Sequence, residues 1–214
     1  MIIAQHSIVN RTSQITSTSS QFSLFPSTEV PASYPEGFRY EENIITPAEE
    51  AALITTIKTL PLKNFEYEGY EGNRRVIGYG WSYDFNTHKL LKADPIPNFL
   101  HPLRIKAATF ANMNPEDLQQ AIVTEYTPGA GIGWHRDRPM FENIVGISLR
   151  APCTFRLRLK DNLDNSPEAW RRVNLTASPR SIYIMSGESR TAWQHSIPPV
   201  DELRYSITFR NFRP

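Results

Sequence analysis

From residue 121 onward the sequence is a series of short runs in which apolar and polar residues alternate. The runs are AIVTEY, IVGISL, CTFRLRL, RRVNLT, SIYIM and YSITFRNF, and they are separated by Gly, Pro, Asn and Asp. Alternation with a period of two puts successive side chains on opposite faces of a strand, so each run predicts a β-strand. A succession of such strands predicts a sandwich or barrel of antiparallel sheets.

Two helices are predicted ahead of these strands. Thr46 is placed to cap the first helix, Pro47 suits its first turn, and Glu49 completes a capping box. Its apolar stripe is Leu53, Ile54, Ile57 and Leu60. The second helix is predicted from Pro97 to Met113, with an apolar face of Phe99, Leu100, Leu103, Ala107 and Phe110. We therefore expect an α+β fold that is mainly β, in which N-terminal helices brace one face of a jelly-roll-like pair of sheets.

Length and composition favour one domain. The chain has 214 residues, of which 40% are hydrophobic, enough for one sizeable core. Residues 1–37 are rich in Ser and Thr and lack periodic apolar positions, which predicts a flexible tail before a single domain at residues 38–214. The net charge of +1 supplies no global field for a polyanion, so any nucleic-acid contact depends on a local basic patch.

The cysteine content and hydropathy bear on the compartment. Cys153, the single cysteine, cannot form an internal disulfide, which fits a reducing compartment. Its expected role is that of a small core hydrophobe. No apolar run approaches the roughly 20 residues that a membrane-spanning helix needs. We expect a cytoplasmic monomer with no membrane association.

The segment YTPGAGIGWHRDRP contains a His-x-Asp pair behind three glycines. If this segment is extended, His135 and Asp137 project to the same side. An imidazole and a carboxylate so placed are two of the three ligands of a facial triad for Fe(II), and His195, in TAWQHSI, is the candidate for the third. Gly129 and Gly131 are expected either to let backbone approach a small co-substrate or to form a plain turn.

Two arginines on the last predicted strand form a second candidate site. Arg204 and Arg210, in RYSITFR, are an even number of residues apart, so they share one face with α-carbons roughly 20 Å apart. If the two side chains lean together, the gap between them suits a small dicarboxylate, with a guanidinium fork at each end. Two exposed strand arginines are the alternative. Ile207 and Phe209 should face the opposite side and fill core.

Taken together, the motifs EYTPGAGIGWHRD, SGESRTAWQH and RYSITFR, in this order and spacing, resemble the AlkB family of Fe(II)- and 2-oxoglutarate-dependent dioxygenases. The resemblance covers nearly everything from Phe38 to Arg213. It implies a double-stranded β-helix. It also implies a reaction with O2 in which 2-oxoglutarate is decarboxylated to succinate and a methyl group on nitrogen is hydroxylated, then leaves as formaldehyde.

The same resemblance assigns roles to the candidate residues. It implies that the catalytic Fe(II) ligands are His135, Asp137 and His195. It implies that the groups binding 2-oxoglutarate are Arg204 and Arg210, one at each end, and Tyr126, which bonds one carboxylate. Thr124 and Ser206 depart from the family, since many relatives carry Asn at the first position and some carry an amide side chain at the second. Pro139 replaces an acidic residue of the bacterial repair enzyme that contacts the base.

Substrate contacts are expected before the second helix and beside the metal pair. Repair enzymes of the family extrude the damaged base and stack it on aromatic side chains. In GNRRVIGYGWSYDF, Arg74 is a candidate for phosphate, and Trp81 and Tyr83 are candidates for stacking on a base. Arg138 adds positive charge beside the metal pair. For Tyr79 and Trp81, burial within a β-hairpin is the alternative.

These observations favour oxidative demethylation of alkylated bases in single-stranded or duplex DNA or RNA, a form of nucleic-acid repair. Single strands are favoured because they avoid the cost of unpairing. The same oxygenase chemistry on methylated protein is one alternative. A non-catalytic jelly-roll binding module, in which the His-Asp pair is merely polar lining, is an alternative of another class.

Overall fold

A computed structural model describes residues 34–67, 69–84, 88–160 and 170–214. The N-terminal half contains β1 (Phe38–Glu41), α1 (Pro47–Ile57), β2 (Lys63–Tyr67), β3 (Tyr70–Tyr79), β4 (Trp81–Asp84), β5 (Lys89–Lys92) and α2 (His101–Ala111). The C-terminal half contains β6 (Gln120–Tyr126), β7 (Ile132–His135), β8 (Phe141–Leu149), β9 (Cys153–Lys160), β10 (Trp170–Ala177), β11 (Ile182–Met185), α3 (Gly187–Thr191), β12 (Gln194–Ile197) and β13 (Arg204–Phe212). Every predicted alternating run therefore forms a strand.

Most of the predicted tail lies outside the described residues, which begin at residue 34. Its last residues are tied to the start of α3. The carbonyl oxygen of Gly37 accepts hydrogen bonds from the backbone amide and the hydroxyl of Ser186, at 3.0 and 2.8 Å. Within the described ranges, no helix is long and apolar enough to cross a membrane.

The start of α1 agrees with its sequence signal. The Thr46 hydroxyl accepts from the amide of Glu49, and the Glu49 carboxylate accepts from the amide of Thr46. The second predicted helix is shorter than expected: a 3-10 turn at Asn98–Leu100 precedes α2, which ends at Ala111. It stops because Asn112 adopts the left-handed conformation, with φ of 56°.

The strands form two main antiparallel sheets. The larger has seven strands in the order β1-β11-β8-β13-β6-β3-β2, and the smaller has four in the order β10-β9-β12-β7. A separate hairpin joins β4 to β5. The architecture is thus the mainly-β double-stranded β-helix that the sequence predicts.

Each face of the large sheet has a separate core. The outer face packs against α1 and α2 through buried residues that include Val123, Ile147, Ile207 and Phe209. The inner face packs against the small sheet through a cluster that includes Phe141, Tyr183, Phe155, Leu157 and Cys153. The predicted core positions Ile207 and Phe209 are therefore confirmed, as is the buried free thiol of Cys153.

Glu50 links α1 to two turns of the large sheet. Its side chain is largely buried, and its carboxylate accepts a hydrogen bond from the backbone amide of Arg150 at 2.8 Å. The other oxygen pairs with the Arg180 guanidinium at 2.9 Å. Arg150 and Arg180 both have positive φ, 74° and 65°. The carboxylate therefore fixes two left-handed turns against the helix.

We expect Glu50→Ala to lower the free energy of unfolding by about 2 kcal/mol, because it leaves a backbone amide and a guanidinium without their acceptor. The matched control is Glu41→Ala, an exposed carboxylate on β1, which should cost less than about 0.5 kcal/mol. Urea denaturation followed by circular dichroism measures both values. Equal stability of the two variants would contradict the linking role of Glu50.

Candidate active site

Two imidazoles face each other across β7 and β12. In this antiparallel pair His135 lies directly opposite His195, and their ring centroids are 4.2 Å apart. Facing residues of an antiparallel pair have β-carbons about 5 Å apart. Strand register alone therefore makes neighbours of two residues that are far apart in sequence. The ring of Phe155 stacks against His195 at 5.6 Å and closes the site on the small-sheet side.

Asp137 joins the two imidazoles from a loop. The strand β7 ends at His135, so the extended geometry that would place the pair on one strand face does not continue to Asp137. Even so, the Asp137 carboxylate lies 3.5 Å from Nε2 of His195. The ligand atoms of His135, Asp137 and His195 all lie within 4.8 Å of one another. The cluster expected from sequence therefore forms, through a turn of the chain after β7.

The donor atoms suit a divalent cation. Nδ1 of His135 lies 2.9 Å from the carbonyl oxygen of Gly133, so a proton on Nδ1 leaves Nε2 with a free lone pair. Burial lowers the pKa of His195 to about 3, with a smaller contribution from the neighbouring His135 ring, and keeps the His195 ring neutral. Burial acts to raise the pKa of Asp137, but Arg210 and the two imidazoles outweigh it and hold the pKa at about 2. Two imidazoles and one carboxylate are the facial donor set typical of Fe(II) oxygenases.

Arg204 lies in the interior on β13. It is 1% exposed, its Nε donates to the hydroxyl of Ser148 at 3.1 Å, and its guanidinium lies 4.8 Å from the ring centroid of Tyr126. Among the described residues, its Nη1 has no hydrogen-bond partner. A buried cationic donor without an acceptor is costly. Its geometry therefore suits an anionic ligand.

Arg210 lies between the cluster and the strand beside it. Its Nη1 donates to Gln120 at 3.0 Å, its Nη2 pairs with Asp137, and its Nε has no partner within the described part of the chain. Both arginines lie on β13 and face β6, where Arg204 is opposite Tyr126 and Arg210 is opposite Gln120. The two guanidiniums thus lie on the inner face of the large sheet, and each has one N–H donor without a partner among the described residues.

The inner face between the two arginines carries small hydroxyl side chains. Ser206 on β13 faces Thr124 on β6 and Ser148 on β8, and all three are buried. The two departures from the family pattern at Thr124 and Ser206 therefore meet in one row. In the next row, a β-carbon at Gly146 would lie 2.4 Å from the Tyr183 hydroxyl. Glycine at this position lets the Tyr183 ring lie across the sheet.

The glycines before His135 set the path of the backbone. A β-carbon at Gly131 would lie 2.7 Å from the carbonyl oxygen of Ile197, at the end of β12. The close approach that Gly131 permits is therefore to β12 and not to a co-substrate. Gly129 has φ of 86° and donates its amide to the carbonyl of Val200 at 2.8 Å, which fits the turn alternative.

The predicted substrate residues lie in two places. The Arg138 guanidinium lies 4.4 Å from the Tyr83 ring centroid, so these two side chains are brought together. Trp81 makes an edge contact with the Phe212 ring at 5.6 Å, and its carbonyl accepts from Gln120, the partner of Arg210.

Arg74 and Tyr79 both lie on β3, but their side chains lie on opposite faces of the large sheet. Arg74 is half-buried opposite Tyr126, with its guanidinium 3.8 Å from the Phe65 ring centroid. Burial lowers the pKa of Arg74, and Arg210 adds to that effect. Arg74 therefore sits near the 2-oxoglutarate candidates. Tyr79 is 7% exposed in the helix-side core, so its burial alternative is correct.

Arg190 is a site residue that the sequence motifs did not indicate. This side chain is 4% exposed, and its Nη2 donates to the carbonyl oxygen of Arg138, one residue after Asp137. Arg190 therefore holds the loop that carries the candidate carboxylate ligand. Its only sequence signal is the motif SGESR, which forms α3. Gln120, which orients Arg210, gave no signal of its own.

The low pKa of His195 predicts how stability of the metal-free protein depends on pH. The unfolded imidazole takes up a proton near pH 6.5, whereas folded His195 resists protonation to about pH 3. The unfolded state binds more protons in this window, so the free energy of unfolding falls as pH is lowered from 6.5 toward 3. Urea titrations at several pH values should show a shallower fall for His195→Asn. The control His101→Asn, at an exposed histidine, should match wild type, and an unchanged slope in His195→Asn would contradict the assignment.

Known proteins resemble this chain over most of its length. A family model described as the 2OG-Fe(II) oxygenase superfamily matches residues 37–210. An Arabidopsis thaliana protein named Alkylated DNA repair protein ALKBH8 homolog is 27% identical over 192 residues, covering 80% of this chain and 54% of that protein. Uncharacterized protein L905 of Acanthamoeba polyphaga mimivirus is 30% identical over 190 residues, covering 82% and 84%. The chain thus spans about half the length of the plant relative and most of the viral one.

Solved structures share the fold. The structure of OsALKBH1 superposes with a TM-score of 0.64 at 15% identity, covering 84% of this chain and 98% of that one. A Pseudomonas putida prolyl-4-hydroxylase superposes with a TM-score of 0.58 at 11% identity, covering 83% and 93%. At these identities the likeness concerns the double-stranded β-helix alone.

Proposed function

This chain belongs to the 2OG-Fe(II) oxygenase superfamily and is related to AlkB-like proteins, and on that premise we propose that it oxidatively demethylates alkylated bases in DNA or RNA. It is a dioxygenase that depends on Fe(II) and 2-oxoglutarate. The observation that carries the proposal is the cluster of His135, Asp137 and His195 together with buried Arg204 and partly buried Arg210, each of which has a donor without a partner among the described residues.

In this proposal the three clustered side chains would hold Fe(II). Bound Fe(II) would supply oxygen activation coupled to the oxidative decarboxylation of 2-oxoglutarate to succinate and carbon dioxide, with one atom of O2 entering succinate and the other the substrate methyl group, which would leave nitrogen as formaldehyde. Arg190 and Arg210 keep the Asp137 carboxylate in place, and the Gly133 carbonyl fixes the tautomer of His135.

Arg204 and Arg210 anchor the two ends of 2-oxoglutarate in this scheme, with Tyr126 bonding one carboxylate. The unpartnered Nη1 of Arg204 and Nε of Arg210 are the donors that a dicarboxylate would satisfy. The hydroxyl row of Ser148, Ser206 and Thr124 lies between them and offers short polar contacts in place of amides.

Nucleic acid as the substrate is supported by two observations. The plant relative is named an alkylated DNA repair protein. The second observation is a combination of aromatic surface and positive charge close to Arg210, as in single-strand binding sites. It is formed by Tyr83 stacked with Arg138 and by the ring of Trp81. Base extrusion costs least for single strands, so these are the preferred form.

We expect Arg204→Met to raise the KM for 2-oxoglutarate at least about 30-fold, equivalent to about 2 kcal/mol, because it removes a buried charged anchor. The same change should leave the metal-free protein as stable as wild type or more so, since it removes a buried cation that has no counterion among the described residues. Succinate formation and urea denaturation measure the two effects.

The matched control is Arg75→Met, the neighbour of Arg74 on β3. Arg75 pairs with buried Glu125 at 2.7 Å on the opposite face of the sheet. Its removal should lower stability and leave the KM for 2-oxoglutarate unchanged. If Arg204→Met destabilised the protein and left KM unchanged, Arg204 would be structural.

We expect the protein to remove the methyl group from single-stranded oligonucleotides that carry 1-methyladenine or 3-methylcytosine. Mass spectrometry after incubation with Fe(II), 2-oxoglutarate and oxygen measures the loss, and His135→Ala is the control that should abolish it. Succinate formation without loss of the methyl group would support the oxygenase activity and favour methylated protein as the substrate. Failure to bind 2-oxoglutarate after anaerobic Fe(II) loading would instead favour a non-catalytic module.

A further inference from the structure

The outer face of the small sheet carries a group of cations that the proposed reaction does not use. Arg156 and Arg158 lie on β9 with Lys160, and Arg172 on β10 faces Arg158 directly. These four side chains alternate with buried residues such as Leu157, which face the interior. They therefore point away from the core between the sheets, on the side opposite His195.

Two tryptophans on the same face hold the arginines in place. The Arg158 guanidinium lies 4.3 Å from the ring centroid of Trp134 and 4.2 Å from that of Trp170, so it is stacked between two indoles. The Arg156 guanidinium lies 4.8 Å from the Trp134 ring centroid. We call Trp134, Arg156, Arg158 and Trp170 the Arg-Trp ladder. It spans three of the four strands of the small sheet.

Hydrogen bonds fix the orientation of both guanidiniums. Nε of Arg156 donates to the Ser196 hydroxyl at 2.9 Å, and Nε of Arg158 donates to Gln194 at 2.8 Å. Both acceptors lie on β12. Within the described ranges these are the only hydrogen bonds of the two guanidiniums, so their Nη atoms remain available. A planar guanidinium held on an aromatic ring with free Nη donors is suited to bidentate contact with an oxyanion.

The ladder lacks a counter-charge within the described part of the chain. None of Arg156, Arg158, Lys160 and Arg172 forms an ion pair there, whereas Arg171, on the other face of β10, lies 3.8 Å from Glu188. The pKa of Arg158 is lowered by desolvation in the stack and then by repulsion from Arg172 and Arg156. Because the whole chain has a net charge of only +1, this concentration of cations is a local feature.

We propose that the Arg-Trp ladder and Arg172 bind the phosphates of single-stranded nucleic acid, as a contact surface separate from the substrate pocket. The choice of nucleic acid as the partner rests on the proposed function. Arginines interleaved with aromatic rings are typical of single-strand binding surfaces, where phosphate contacts position the strand without reading its sequence.

The position of the ladder relative to the candidate metal cluster gives this surface a role. Trp134 and His135 are consecutive on β7, so their side chains lie on opposite faces of the small sheet. β7 is the edge strand of that sheet, and the loop that follows it carries Asp137 and Arg138. A strand held on the ladder can therefore pass round this edge to the Tyr83–Arg138 pair, and a very short substrate cannot contact both.

The test compares the double variant Arg156→Gln/Arg158→Gln with wild type. Fluorescence anisotropy measures binding of a labelled, unmethylated 12-nucleotide single strand, as RNA and as DNA, without Fe(II) or 2-oxoglutarate. We expect Kd to rise about 10-fold near physiological salt, and the slope of log K against log salt to fall by about 1.4, or 0.7 per lost phosphate contact. The control Arg171→Gln removes one positive charge from the other face of β10 and should change Kd less than about 2-fold.

A second variant guards against misfolding. Arg172→Gln removes a cation of the same surface that forms no ion pair among the described residues, and it should reduce the salt slope by about 0.7. Unchanged Kd and salt slope in both variants would overturn the proposal. So would equal binding of the wild type to a polyglutamate peptide of the same charge, because that would assign the surface to acidic protein.

The experiments distinguish an error in the proposed binding surface from an error in the proposed function. The binding assay contains no methylated base and needs no turnover, so a loss of binding in the double variant supports the ladder whether or not demethylation occurs. With methylated substrates, the double variant should lower kcat/KM for a 12-nucleotide strand and leave it unchanged for a trinucleotide. Equal loss on both lengths would show that the ladder variant disturbs the pocket and would overturn the separate surface.

Discussion

The pairing of β7 with β12 is the constraint on which the candidate site depends. Register places His135 opposite His195, and a shift of one residue would exchange the faces of Trp134 and His135. Gly131 helps to hold this register, since any larger residue would collide with the backbone at Ile197. The register of this one strand pair thus places the metal-ligand candidates on the inner face and the tryptophan on the outer face.

The large sheet divides structural and chemical demands between its faces. Its outer face is apolar and covered by helices, whereas its inner face holds Arg204 and Arg210, each with a donor that has no partner among the described residues. Such donors cost folding free energy, and the apolar packing on both sides of the sheet offsets that cost. A ligand that accepts hydrogen bonds from these donors would therefore stabilise the folded protein.

Sequence patterns predicted most elements because their signals are local. The period-two runs gave the strands, and the capping box at Thr46 gave the start of α1. The His-x-Asp pair marked the cluster, but the loop geometry of Asp137 depends on Arg190, which is distant in sequence. The Arg-Trp ladder had no sequence signal at all, because it exists only once β7, β9 and β10 are brought into one sheet. Long-range register was beyond single-sequence reasoning.

The ion pair between Asp137 and Arg210 affects how the metal-free protein folds. Because Arg210 is an internal counterion, the buried carboxylate is already neutralised when the chain folds. We therefore expect folding to precede metal binding, in contrast to small metal-dependent domains whose ligands come together only around the ion.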